Sequence, residues 1–143
     1  MRLHEIRHID LPLEEVFGYV ADFANTEQWD PGIKSARQIG GGQVGVGTKY
    51  NVVSEFGSSE IPMVYEIVEY EPHSQVVLTG EGDTIGAVDT ILFEETEGGT
   101  RVDYTADLTF KNWMKYLDPL LAPVMRRMVG KKALDGLVAT LSS

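Results

Sequence analysis

The sequence predicts an α+β protein: one antiparallel sheet of about seven strands, two short helices after the first strand, and a long C-terminal helix laid on the sheet. Three observations carry this. From Trp113 to Leu141, apolar residues recur at helical spacing. From Ile33 to Phe110 they alternate in short runs separated by Gly- and Pro-containing turns. Between the first alternating run and these strands, Val16, Phe17, Val20 and Phe23 form a helical stripe. An amphipathic helix that follows a set of strands must bury its stripe, and the sheet is the surface on offer.

In chain order, residues 2–10 alternate imperfectly and read as strand, with His4 and His8 on one face. Four residues of strand hold those histidines roughly 13 Å apart, too far to share a metal. Pro12 then breaks the chain, and Leu13 to Phe23 reads as helix, with Glu14 and Glu15 well placed in the first turn. A second short helical piece spans Asn25 to Trp29 and is stopped by Pro31 and Gly32. Strands are expected at about 33–39, 45–57, 60–70, 74–81, 84–95 and 100–110. Their short connections predict consecutive antiparallel hairpins. In the C-terminal helix, Asp118 before Pro119 makes a natural N-cap and first-turn pair, although Pro123 allows a start one turn later. The stripe before Gly130 and the stripe after it point in directions more than about 90° apart at ~100° per residue. Either the helix kinks at Gly130, or its first half covers a cavity mouth or a partner.

Composition narrows the function. The chain of 143 residues fits a single domain, residues 1–143, with room for a core and a cavity. Twenty-two acidic and 12 basic side chains give a net charge of −10, which repels polyanions and argues against nucleic acid as a partner. Cysteine is absent, so there is neither a disulfide framework nor a thiolate metal site. No leader core or membrane-length apolar run is present, and a cytoplasmic location is expected. Zinc spacings, phosphate loops and nucleophile elbows are missing, so no metal or cofactor is expected. The glycine-rich stretch 40–47 lies between strands rather than opening a helix.

The inward faces of the strands hint at a ligand cavity. Tyr50, Val52, Ser54 and Phe56 share one face of their strand; Ile61, Met63, Tyr65 and Ile67 share another; Val102, Tyr104, Ala106, Leu108 and Phe110 share a third. Tyr, Ser and Met among the aliphatics are residues that ligand cavities use. Leu78 and Ile91 are counted with them, as is Trp29 at the end of the small helices. Asp89 follows Ala87 and precedes Ile91 and Phe93 at strand spacing. If it shares their face, its carboxyl sits among apolar groups, has a raised pKa and can shuttle protons, with Tyr65 or Tyr104 as hydroxyl donor. If Val88, Thr90 and Leu92 face inward instead, Asp89 is solvated.

The strings "VFGYVADFANTEQWDPGIKSARQIG", "GVGTKY", "IPMVYEIVEYEPHSQVVL" and "GGTRVDYTADL" run in order across nearly the whole chain. Together they resemble the START-like (SRPBCC) superfamily, in its polyketide cyclase/dehydrase-type branch. The resemblance implies a helix-grip fold, in which a curved antiparallel sheet wraps the C-terminal helix around an apolar cavity. It places Trp113 and Tyr116 near the cavity entrance, as a ligand contact or as packing for the helix start. The quoted motifs are turns and plugs rather than chemistry, so the resemblance leaves function open.

The expected role is binding of a small hydrophobic or amphipathic ligand between sheet and helix, with Leu120 and Val124 of the helix facing it. A cyclase, dehydratase or aromatase is the alternative, favoured by an ionisable group inside the cavity. A protein-interaction module is the third reading, favoured by exposure of Leu120, Val124 and Met128. The protein is expected as a monomer or a homodimer.

Overall fold

A computed structural model describes residues 1–56, 58–112 and 131–142. Seven strands form one sheet in the order β1-β7-β6-β5-β4-β3-β2, every neighbouring pair antiparallel. They are β1 (Arg2–Ile9), β2 (Ile33–Ile39), β3 (Lys49–Phe56), β4 (Ser59–Glu71), β5 (Gln75–Glu81), β6 (Ile85–Thr96) and β7 (Gly99–Phe110). Helices α1 (Leu13–Ala21) and α2 (Thr26–Trp29) follow β1, and α3 (Lys131–Ser142) is the described part of the C-terminal helix. This is the helix-grip arrangement of a curved sheet around a C-terminal helix. The helix start at Asp118 or Pro123 and the kink at Gly130 lie outside the described residues.

Strand faces follow the alternation. On β4, Met63, Tyr65 and Ile67 are buried while Pro62, Val64 and Val68 are exposed. On β6, Ile85, Ala87, Asp89, Ile91 and Phe93 are buried while Val88 and Leu92 are exposed. Two local departures have clear causes. The strand expected from residue 45 begins at Lys49, because the Thr48 N–H closes a turn on the Gly45 carbonyl (3.1 Å) and its hydroxyl accepts from the Gly45 N–H (3.0 Å). On β4 the register to β5 shifts between Ile67 and Glu69. That bulge returns Tyr70 to the inner face, where its ring meets Phe17 of α1 edge-on at 5.4 Å.

Helix α1 buries Val16, Phe17, Val20 and Ala21, and Phe17 also packs edge-on against Phe93 at 5.0 Å. It ends at Ala21, two residues earlier than the periodicity predicts. Asp22 leaves helical geometry there, and its carboxylate accepts from the Ala24 N–H (3.2 Å) to start a single 3₁₀ turn. The Asn25 amide donates to the Tyr19 carbonyl (2.9 Å), and the Thr26 hydroxyl donates to the Phe23 carbonyl (2.7 Å). These bonds fix the path into Trp29 and Asp30. Helix α3 packs on β1 and α2, burying Leu134 and Leu137. Arg7 of β1 braces it by donating to Asp135 (3.0 Å) while also bonding Glu5 (2.9 Å). The two strand histidines are outward and separately engaged, His4 with Asp103 (2.7 Å) and His8 with Thr96 (2.7 Å).

Candidate functional site

A cavity of about 140 Å³ lies between the inner sheet face, the Trp29–Ile33 turn and α3. Engineered apolar cavities of about this size take up a single benzene-sized guest. Its apolar walls are Leu3 of β1, Ile61 and Met63 of β4, Ile85 of β6, Ala106 and Leu108 of β7, and Ala133 and Leu134 of α3, with Phe23 and Trp29 closing one end. β1, β4, β6 and β7 contribute residues of one alternating face, so most of this wall is the inward set of those strands.

Asp89 is the polar centre. It stands on β6 between Leu78 of β5 and Ala106 of β7, is 4% exposed, and lines the cavity. The Tyr104 hydroxyl, one diagonal step away on β7, donates to its Oδ2. Its Oδ1 is buried with no hydrogen-bond partner among the described residues. Burial pushes this carboxyl up to about 7, against the opposing pull of the Tyr104 hydrogen bond; the nearby charges of Asp30 and Asp107 add to the rise. Asp89 therefore changes protonation near neutral pH inside an apolar wall.

Around it are two phenols and a second carboxyl. Burial and the charge of Asp89 raise both Tyr65 and Tyr104 well above the usual phenol range. Tyr65 pairs with Gly80 across β4 and β5, and its ring lies where a side chain at 80 would stand: an added Cβ would come within 2.7 Å of the ring. Asp30 follows Trp29 on the turn into β2, and its Oδ1 accepts from the Gly32 N–H (2.8 Å). Burial lifts it to about 6, with the Gly32 hydrogen bond opposing. The Trp29 ring stands edge-on to Tyr104, centroids 6.4 Å apart, and its Nε1 is buried without a partner among the described residues.

Of the residues read from sequence as cavity candidates, Trp29, Met63, Tyr65, Tyr104 and Leu108 line the cavity together with Asp89. Tyr50, Val52, Leu78, Ile91 and Phe110 are buried in the core away from its lining. Phe56 is the last residue of β3. Trp113, Tyr116, Leu120 and Val124 lie outside the described residues. Sequence reasoning missed Asp30, because the turn before Pro31-Gly32 explains an aspartate there without a cavity. It also missed Leu3 and Ile85, whose alternation gives a face but not a place along it, and Phe23, whose helical stripe gives a buried face but not what it covers.

Chemically, the site can exclude water around a small apolar body, offer it one carboxyl oxygen that has no partner among the described residues, and give or take a proton near neutral pH. Among the described residues no group of three or more His, Asp or Glu side chains is arranged to hold a metal ion. No described helix is long and apolar enough to cross a membrane.

A sequence model of the family described as polyketide cyclase / dehydrase and lipid transport matches residues 2–142. No curated protein matches the sequence. Among solved structures, TTHA0849 from Thermus thermophilus superposes with a TM-score of 0.80 at 20% identity, covering 99% of this chain and 97% of that one. Zhui aromatase/cyclase from Streptomyces sp. R1128 gives 0.80 at 9% identity, with 99% and 93% covered. Ara h 8.0201 gives 0.69 at 15% identity, with 99% and 97% covered. At these identities the likeness is one of fold.

Proposed function

Because the chain belongs to the polyketide cyclase/dehydrase and lipid transport family, we propose that it binds a small hydrophobic or amphipathic molecule in the cavity between sheet and C-terminal helix. The observation that carries this is the cavity itself: apolar walls around a buried carboxyl whose Oδ1 has no partner among the described residues. Unpaired buried polar atoms are costly in a core, and a ligand group would satisfy this one. An apolar body would gain by leaving water, and Asp89, Tyr65 and Tyr104 would set its orientation. Carriage in the cytosol suits a cysteine-free chain.

The test is native mass spectrometry of protein purified from its own host, followed by extraction of the adduct. A defined apolar adduct supports the reading, and the same spectrum distinguishes monomer from homodimer. A protein that carries no adduct and takes up no apolar dye overturns it.

A second reading, a cyclase or dehydratase acting on a polyketide-like substrate, is favoured by the position of Asp89. An acid or base that titrates near 7 beside an enolisable substrate is what ring closure or water loss needs. A ring-closed product that forms with the wild type and not with Asp89→Asn would establish it. The interaction-module reading rests on Leu120, Val124 and Met128, which lie outside the described residues.

A further inference from the structure

The charged side chains among the described residues of the cavity lining are all of one sign. Among its described lining residues, Glu5, Asp30, Glu55 and Asp89 are acidic and none is Lys, Arg or His. Three of these have other company or solvent: Glu5 is bonded by Arg7, Asp30 by the Gly32 N–H, and Glu55 is exposed. Asp89 is different. It is buried, Tyr104 occupies one oxygen, and the other has no partner among the described residues.

Resting on the reading of this cavity as a ligand site, we propose that its ligand is an apolar amine, a ring-sized hydrocarbon body with one basic nitrogen set against Asp89 Oδ1. One alternative fails on charge and another on hydrogen bonding. A carboxylate or phosphate headgroup would enter a low-dielectric space beside Asp89 and Asp30, where like charges repel strongly. A purely neutral hydrocarbon would fill the walls but leave Oδ1 unpaired. An ammonium N–H completes the hydrogen bonding of a carboxylate whose desolvation cost the fold already bears. Tyr65 and Trp29 in the same wall are aromatic, a residue type that attracts cations. The chain's net charge of −10 draws cations toward the site.

Binding and pH are then linked. Among the described residues, the groups facing Asp89 are Tyr104 and, through the sheet, Asp107 from β7, Tyr65 from β4, and Asp30 from the turn after α2. β5 contributes the uncharged Leu78, and α3 brings Ala133 and Leu134 to the cavity while its Asp135 is held outward by Arg7. An amine that stays protonated prefers ionised Asp89, so its affinity rises as pH passes through the range where this carboxyl titrates. An anionic ligand prefers protonated Asp89 and shows the opposite slope.

The test is an NMR titration of the full chain with three probes of similar shape: phenethylamine, propylbenzene and hydrocinnamate. Phenethylamine is expected to bind about tenfold or more tighter than either of the others. Its affinity should climb about tenfold between about pH 5.5 and 8, and the margin over propylbenzene should vanish in Asp89→Asn. The wild-type pH profile carries the test independently of that variant. Propylbenzene binding as tightly as phenethylamine, or hydrocinnamate binding tighter, overturns the amine proposal and leaves the cavity as a ligand site. Failure of all three to bind overturns both.

Discussion

Gly136 of α3 rests directly on the carbonyl oxygen of Trp29, so closely that an added Cβ would overlap that oxygen and press Pro31 Cδ at 3.3 Å. The missing side chain lets the C-terminal helix dock on the turn that carries Trp29 and Asp30 into the cavity wall. Gly136→Ala therefore separates two opposing effects. Helix propensity alone favours alanine by about 1 kcal/mol. The clash with backbone, which cannot rotate away, costs on the order of 2–3 kcal/mol. Urea denaturation should show a net loss of stability; a gain would mean that α3 does not sit on this turn.

Gly80 and Tyr65 are a second close pair, on paired strands. A Cβ at 80 would meet the Tyr65 ring at 2.7 and 2.8 Å and Met63 Cε at 3.1 Å. Gly80→Ala should destabilise by about 1–3 kcal/mol and swing the ring away from Asp89. Shrinking the neighbour in Gly80→Ala/Tyr65→Leu should recover part of that loss, and a double-mutant cycle gives a coupling of about 1 kcal/mol or more. Additive single effects would sink the contact.

Much of this was legible in the sequence, and the limits are physical. Period-two alternation marks which residues of β4 and β7 turn inward and puts Asp89 on one face with Ala87 and Ile91, but on β6 both faces carry apolar residues, so it leaves open which face is buried; the structure buries the Asp89 face. Alternation cannot show where along a strand the inner face is covered by other side chains and where it is left open. Tyr50 and Ile91 are inward and fully packed, Tyr50 with Phe23 against its ring at 6.1 Å, while Tyr65 and Tyr104 on neighbouring strands reach the cavity. The bulge between Ile67 and Glu69 is hidden because Ile67-Val68 reads as one apolar step of an ordinary strand. Asp30 is hidden because its turn bond to Gly32 accounts for it locally.

Removing the Tyr104 hydroxyl isolates its hold on Asp89. That hydrogen bond opposes the rise of the carboxyl's pKa, so Tyr104→Phe should raise it further. A hydrogen bond to a charged group is worth about 1.5–3 kcal/mol, which moves the titration about 1–2 pH units above that of the wild type. Carbon-13 NMR of the Asp89 carboxyl reads this directly. A titration at or below the wild-type position would show that the phenol does not donate to the ionised form.

The buried Asp89 carboxyl makes stability fall as pH rises. Asp89 titrates at about 7 in the fold and at its ordinary 3.8 when the chain is unfolded. Below 3.8 both states hold the proton and the group contributes nothing. As pH rises between these values the unfolded chain releases its proton while the folded chain keeps it, so stability falls; above the folded pKa the loss is complete and constant. Asp89→Asn removes that penalty, keeps an oxygen for the Tyr104 hydroxyl, and preserves the shape of the side chain. The variant should exceed the wild type by about 2–4 kcal/mol at neutral pH and above, the gap closing toward acid. Denaturation midpoints of both proteins at several pH values measure it. A variant that is less stable than the wild type at neutral pH would mean that the buried carboxylate has a partner that stabilises its charge, and the unpaired oxygen in the cavity would then need another explanation.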